Sequence, residues 1–118
     1  MEQNILSSDI ISIHEINSMS KINYLEVKKA AAILRAINHK LRQSIIKLLE
    51  EKNFLTVTEI YVKLRVEQSV ASQHLAILRR AEIVKTNRDG KNIHYSLSSS
   101  RLGEIDNVIK QLLQDDNK

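Results

Sequence analysis

The sequence predicts a mainly α-helical fold carrying one small β hairpin, and three observations support that prediction. Apolar residues recur at three- and four-residue spacing over most of the chain from about Asn23 onward. Between Ile83 and Leu97 the period falls to two around an Asp-Gly pair, and helical spacing returns after Ser98. Hydrophobic residues make up 42% of the 118 residues but aromatic ones only 3%, so the core must be built from Ile, Leu, Val and Ala. The length suits one domain, and a domain this small buries a modest share of its surface, which favours association with a second copy.

Residues 1–20 mix Ile5, Leu6, Ile10, Ile11, Ile13 and Ile16 with serines, asparagines and acids, and the pattern does not separate helix from strand. The expectation is an N-terminal arm, either loosely ordered or packed on a partner, followed by a single domain over residues 21–118. A first helix runs from about Asn23 to Ile37, with Val27, Ala30, Ala31, Leu34 and Ile37 on one face, until Asn38-His39-Lys40 interrupts it. A second runs from about Leu41 to Glu51 and turns Leu41, Ile45, Leu48 and Leu49 inward. Phe54 and Leu55 form a short extended link, with a possible short strand before the third helix.

Thr56-Val57-Thr58-Glu59 has Thr followed three residues later by Glu, the capping-box spacing, so a third helix starts there and ends near Leu64. Arg65-Val66-Glu67 separates it from a fourth helix over about Gln68 to Ala81. Ile83, Val84 and Thr86, then Ile93, Tyr95 and Leu97, flank Asn87-Arg88-Asp89-Gly90 as a hairpin. Ser98-Ser99-Ser100 offers N-caps for a fifth helix carrying Leu102, Ile105, Val108, Ile109, Leu112 and Leu113, beyond which residues 115–118 fray. The order is therefore α-α-α-α-β-β-α. Two helices joined by about three residues make a helix-turn-helix, and a hairpin directly after the second is a wing: the fold is a winged helix-turn-helix.

Net charge is +4, unevenly spread: the first twenty residues hold Glu2, Asp9 and Glu15 and no Lys or Arg. The remainder has 18 basic and 11 acidic residues, a net +7, which suits a polyanionic partner because each neutralised phosphate releases counterions. With no cysteine, disulfides, thiolate metal sites and thiol redox sensing are excluded. No apolar run approaches the roughly 20 residues of a bilayer span, and the acidic N-terminus lacks the basic start of a secretory signal. A cytoplasmic location, with no membrane partner, is expected.

The fourth helix carries the functional expectation. At about 100° per residue, Gln68, Ser69, Ser72, Gln73, Ala76, Arg79 and Arg80 share less than half of its circumference, with Val70, Ala71, Leu75, Ile77, Leu78 and Ala81 opposite. The free face contains no acid and no long apolar side chain. Gln pairs with adenine through N6 and N7, and Ser bonds several bases or a phosphate, so this face suits the major groove of double-stranded DNA. An ordinary solvated helix face is the plainer alternative, against which stands its Gln and Ser content where Glu and Lys are usual. Arg88 and Lys91 at the hairpin tip suit the minor groove or flanking phosphates. His74 falls on the apolar side, where packing with one satisfied nitrogen outranks base contact. His14, His39 and His94 lack ligand spacing, and His94 alternates toward solvent.

The stretch Gln68-Ser69-Val70-Ala71-Ser72-Gln73-His74-Leu75-Ala76-Ile77-Leu78, continuing to Val84, resembles the recognition helix of ArsR-type winged-helix repressors. Gly90-Lys91 with Ile93-His94-Tyr95-Ser96-Leu97 is similar to that family's second wing strand, and His39-Lys40-Leu41-Arg42 leads into a stretch similar to its second helix. The resemblance implies a homodimeric transcriptional regulator, a repressor on a palindromic operator, with recognition helices entering major grooves about one turn apart. It places DNA contacts on Gln68, Ser69, Ser72, Gln73, Arg88 and Lys91. It also implies a dimer joined through the first and fifth helices, with Leu34, Leu102, Ile105, Ile109 and Leu112 as interface candidates.

Two departures bear on the signal. Arsenical-sensing and heavy-metal-sensing members place Cys-Val-Cys at the start of the third helix, where this chain has Thr56-Val57-Thr58. Zinc-sensing members use carboxylates and histidines on the fifth helix, at positions occupied here by Ser99, Arg101, Leu112 and Asp115. No metal and no cofactor is expected, and the effector stays open. Catalysis is not expected either: Glu104 and Asp106 point to different faces, Glu50 and Glu51 are adjacent, and two glycines supply no phosphate-cradling loop. A winged-helix protein-interaction module and a small-molecule-responsive regulator remain the alternative functions.

Overall fold

The computed structural model describes residues 21–114; the arm expected over residues 1–20 and the fraying expected over residues 115–118 lie outside them. The elements run α1 (Tyr24–Ile37), α2 (Lys40–Lys52), β1 (Phe54–Thr56), α3 (Val57–Leu64), α4 (Gln68–Arg80), β2 (Val84–Asp89), β3 (Asn92–Leu97) and α5 (Ser99–Leu113). The chain divides into two compact units between Ala31 and Ala32, inside α1, and all packing below lies within residues 32–114. Residues 21–30 are all exposed.

Most helix starts are fixed by one side chain each. The Asn23 side-chain oxygen accepts from the backbone of Leu25 and Glu26 ahead of α1. His39 Nδ1 accepts from Leu41 N at 3.1 Å ahead of α2, and Ser98 Oγ accepts from Arg101 N at 3.3 Å ahead of α5. At α3 the expected capping box forms reciprocally: Thr56 Oγ1 accepts from Glu59 N at 3.2 Å, and Glu59 Oε1 accepts from Thr56 N at 2.9 Å. That backbone N–H holds the Glu59 carboxyl below the usual glutamate range, so the box is complete above that range and weakens as pH falls through the lowered value.

Both helices of the helix-turn-helix end in the same way. Arg65 adopts a left-handed backbone with φ 57, its N–H bonds Val62 O, and Val66 N–H bonds Tyr61 O. After α4, Glu82 has φ 60, its N–H bonds Arg79 O, and Ile83 N–H bonds Leu78 O. These paired bonds are Schellman motifs, which normally place glycine at the left-handed position because a Cβ is strained there. Here two charged residues occupy it.

The core is aliphatic, as the composition requires. Ile45 and Leu49 of α2, Ile60 of α3, Leu75 and Leu78 of α4, and Ile83 and Val84 are each at most 2% exposed. Ala36, Leu55, Ala81 and Ile105 complete the cluster, with Leu34, Leu102 and Tyr95 partly buried against it. Ile105, one of the interface candidates, is 6% exposed within a single copy and packs into that copy's core. The apolar residues that α5 leaves outside are Val108, Ile109, Leu112 and Leu113.

Among the described residues the strands form one antiparallel sheet in the order β1-β3-β2. The possible strand before the third helix is real: Phe54, Leu55 and Thr56 pair with Ser96, Tyr95 and His94. The hairpin register pairs Thr86 with Tyr95, Arg88 with Ile93 and Asp89 with Asn92, so the turn is Gly90-Lys91, with Gly90 at φ 64. His94 departs from the expected solvent-facing position. It is half-buried, edge-on to the Phe54 ring at 5.3 Å, because β1 supplies a neighbour on that face.

Candidate nucleic-acid interface

The helix-turn-helix presents α4 by its amphipathic pattern. Ala71, Leu75 and Leu78 are buried and Val70 and Ile77 half-buried, so the opposite face has to stand free. Gln68, Ser69, Ser72, Gln73, Ala76, Arg79 and Arg80 are all exposed. Gln68, Ser72, Ala76 and Arg80 follow one another at four-residue steps, with Ser69 and Gln73 in the adjacent row. The structure thus brings together the four expected helix residues in one short-chained strip, with cations only in its last turn. No side chain caps the start of α4, because Glu67 stands there with an extended backbone and makes no capping bond.

The wing leans on the same helix. An open depression of about 390 Å³ between them is lined by Ser72, Leu75, Ala76, Arg79, Arg80 and Tyr95. Tyr95 borders it from β3. Arg88 and Lys91 are exposed toward the end of the hairpin and are not among the residues lining this depression. Arg88 instead borders a separate hollow of about 400 Å³ with Phe54, Asn87, Asp89, His94 and Ser96. The expected contacts therefore fall into two groups, a polar strip on α4 and a cationic hairpin end.

Behind the strip, His74 is packed as expected, with Nδ1 at 3.0 Å from Arg42 Nη1 and its ring 4.5 Å from that of His39. Partial burial, followed by the charges of His39 and Arg42, holds its imidazole below the ordinary histidine value of 6.5. Arg101 reaches back from α5 to Glu82 at 3.3 Å, bracing the exit of α4. Thr56 spends its hydroxyl on the α3 cap. Among the described residues no group of three or more His, Asp or Glu side chains converges to hold a metal, and no helix is long and apolar enough to cross a membrane.

Sequence reasoning did not find three features: the bracing by Arg101, the strain at Glu82, and the Arg42 guanidinium that reaches α4. Glu82 carried no signal beyond the end of the helical pattern. Arg42 stood in the stretch that resembles the family's second helix, yet nothing in its spacing named its partners.

A helix-turn-helix with an uncluttered polar second helix, followed by a wing in a three-stranded sheet, defines the winged helix-turn-helix class. Comparison with known proteins narrows this class. Residues 39–86 match the profile described as bacterial regulatory protein, arsR family. The chain is 34% identical over 92 residues to the transcriptional repressor PagR of Bacillus anthracis, covering 78% of this chain and 89% of that protein. It is 34% identical over 84 residues to the transcriptional activator HlyU of Vibrio cholerae serotype O1, covering 71% and 77%. The crystal structure of PagR superposes with a TM-score of 0.60 at 31% identity, over 74% of this chain and 99% of that one. This chain belongs to the ArsR family of bacterial transcriptional regulators, which are not enzymes.

Proposed function

We propose that the chain is a homodimeric, sequence-specific repressor that sets its two α4 helices into successive major grooves of a palindromic operator. The observation that carries this reading is the exposed face of α4, where Gln68, Ser69, Ser72 and Gln73 share a strip that itself holds no acid and no large apolar side chain. Gln68 and Gln73 take the base-reading role, because a carboxamide pairs with adenine through two hydrogen bonds at once. Ser69 and Ser72 serve bases or phosphates, and Arg88 and Lys91 hold phosphates or the minor groove beside the site. Kinship with a protein named as a repressor favours repression, although a relative of equal identity is named as an activator.

Dimerisation rests on apolar surface that a single copy leaves uncovered. Ile109 is 37% exposed and Leu112 69% on α5. Leu34 and Leu102 contribute at most their outer edges, being packed partly against the core. Such exposure on a small monomer marks an association surface. Neither the Cys-Val-Cys triplet nor the α5 ligand set of metal-sensing members is present, so release follows from some other signal, and the effector is not assigned.

The test is enrichment of bound duplexes from a random-sequence pool. The expected product is a palindrome with half-sites centred about one helical turn apart, roughly 34–36 Å. Enrichment of no sequence, or of a single unpaired half-site, would contradict the reading.

A further inference from the structure

One guanidinium joins three elements behind the recognition helix. Arg42, on α2, donates from Nε to Ala36 O at 2.6 Å and from Nη2 to Arg35 O at 3.3 Å, both carbonyls belonging to the last turn of α1. Its Nη1 lies 3.0 Å from His74 Nδ1 on α4. Arginine has donors and no acceptor, so this contact requires a lone pair on His74 Nδ1 and leaves the ring proton on Nε2. His39 packs against the same ring, its centroid 4.5 Å away, and it too uses Nδ1 as an acceptor, from Leu41 N at 3.1 Å. Two imidazoles that both need a bare Nδ1 therefore sit beside a permanent cation. The charged or titratable groups that act on His74 are His39, at the junction of α1 and α2, and Arg42 from α2.

His74 lies between Ala71 and Leu78 on the inward side of α4, next in sequence to Gln73 and two residues from Ser72. It cannot reach bases together with that strip, but it can fix where the strip stands. We propose that Arg42 and His74 form a positioning latch for the recognition helix: neutral His74 lets Arg42 tie α4 to the end of α1, and protonation of His74 opens the tie and lowers specific DNA binding. The inference rests on α4 being the DNA-reading element.

The chemistry fixes the sign. An imidazolium has no lone pair for Arg42, and it is repelled by the guanidinium it formerly accepted from. Because the folded value lies below the ordinary 6.5, the tie is complete above that value and is lost as pH falls through the lowered one. Added positive charge by itself acts the other way on DNA, strengthening attraction to every phosphate. Specific and non-specific binding should therefore separate on the acid side.

The experiment measures binding of the full chain to two duplexes from about pH 8 down through the acid limb of His74, as located by the NMR titration below. One is enriched by the protein from a random pool at about pH 8, and the other is an unrelated duplex of equal length. The ratio of specific to non-specific affinity is expected to fall about tenfold toward the acid end, the effect of losing a hydrogen bond to a charged group. His74→Asn keeps an acceptor oxygen near the place of Nδ1 and does not titrate, so it should retain the specificity seen at pH 8 and flatten the acid limb. His39→Asn keeps the α2 cap and removes one of the charges that lower His74, so the acid limb should persist and move toward higher pH. Arg42→Met should lower the ratio about tenfold already at pH 8.

Nitrogen NMR of the free protein supplies a readout that needs no DNA. His74 should show the Nε2–H tautomer and titrate below the ordinary value, and Arg42→Met should change both. An Nδ1–H tautomer, or identical pH profiles for the unmodified chain and His74→Asn, would overturn the latch. A duplex bound with pH-independent specificity removes the latch alone, whereas failure to enrich any duplex removes the DNA-reading assignment and the latch with it.

Discussion

The fourth and fifth helices are built on the same amphipathic principle but finish differently. Helix α4 buries Ala71, Leu75 and Leu78 and shows solvent only polar, small or cationic side chains on its outer strip. Helix α5 buries Ile105 and still leaves Val108, Ile109 and Leu112 outside. The first helix is a finished surface, at ease in water and equipped to hydrogen-bond a polar ligand. The second is unfinished within one copy, because burying an exposed Ile or Leu fully is worth about 1.5–3 kcal/mol each. Polar exposure on one helix and apolar exposure on the other thus separate the surface we assign to a nucleic acid from the surface we assign to a second copy.

The largest expected effect comes from attacking the unfinished helix. Ile109→Asp places a charge on the exposed apolar face of α5 without touching the core, so the chain should fold and stay monomeric in light scattering. Operator affinity should then drop by about two orders of magnitude or more, since linked half-sites no longer act together. A monomeric unmodified chain would break the comparison at its root.

On the finished helix the effects are smaller and selective. Gln73→Ala should leave stability within about 0.5 kcal/mol, as for other surface substitutions, while costing roughly 1–3 kcal/mol in operator binding and relaxing preference at one base pair per half-site. Equal weakening on all sequences would reassign Gln73 to the phosphates. Arg88→Ala should weaken binding to every duplex and reduce the logarithmic salt slope by about one. An unchanged slope would detach the wing from the backbone. The smallest effect concerns the turn that aims α4: Arg65→Gly relieves a left-handed residue and should raise stability by about 1 kcal/mol, read as a shift in the denaturant midpoint.

Much of this architecture was legible in the sequence because local chemistry and tertiary demand agree. The Thr56–Glu59 box, the apolar rows of α2 and α4 and the two-residue period around Gly90 each specify an element without help from distant residues. The polar strip on α4 was legible for the same reason: a helix wheel alone separates it from Leu75 and Leu78. What sequence could not supply is what depends on non-local pairing. Phe54 and Leu55 could be read as an extended link and possible strand, but their pairing with β3, and the half-burial of His94 that comes with it, could not. Ile105 belongs to the same periodic row as its exposed neighbours, and only the depth of packing assigns it inward. The reach of Arg42 to Arg35, Ala36 and His74 spans up to 32 positions, beyond any spacing rule.

The most direct test of α4 as the DNA-reading element uses the absence of cysteine from the chain, which makes Glu67→Cys, at the start of α4 and outside the assigned contacts, a unique attachment point. An iron chelate placed there cuts DNA only where it is held close to the backbone. With the enriched duplex, cleavage should fall in two narrow clusters, one in each half-site, separated by about one helical turn. Cleavage no stronger than from a chelate attached at Glu50→Cys, or spread evenly along the duplex, would contradict the account.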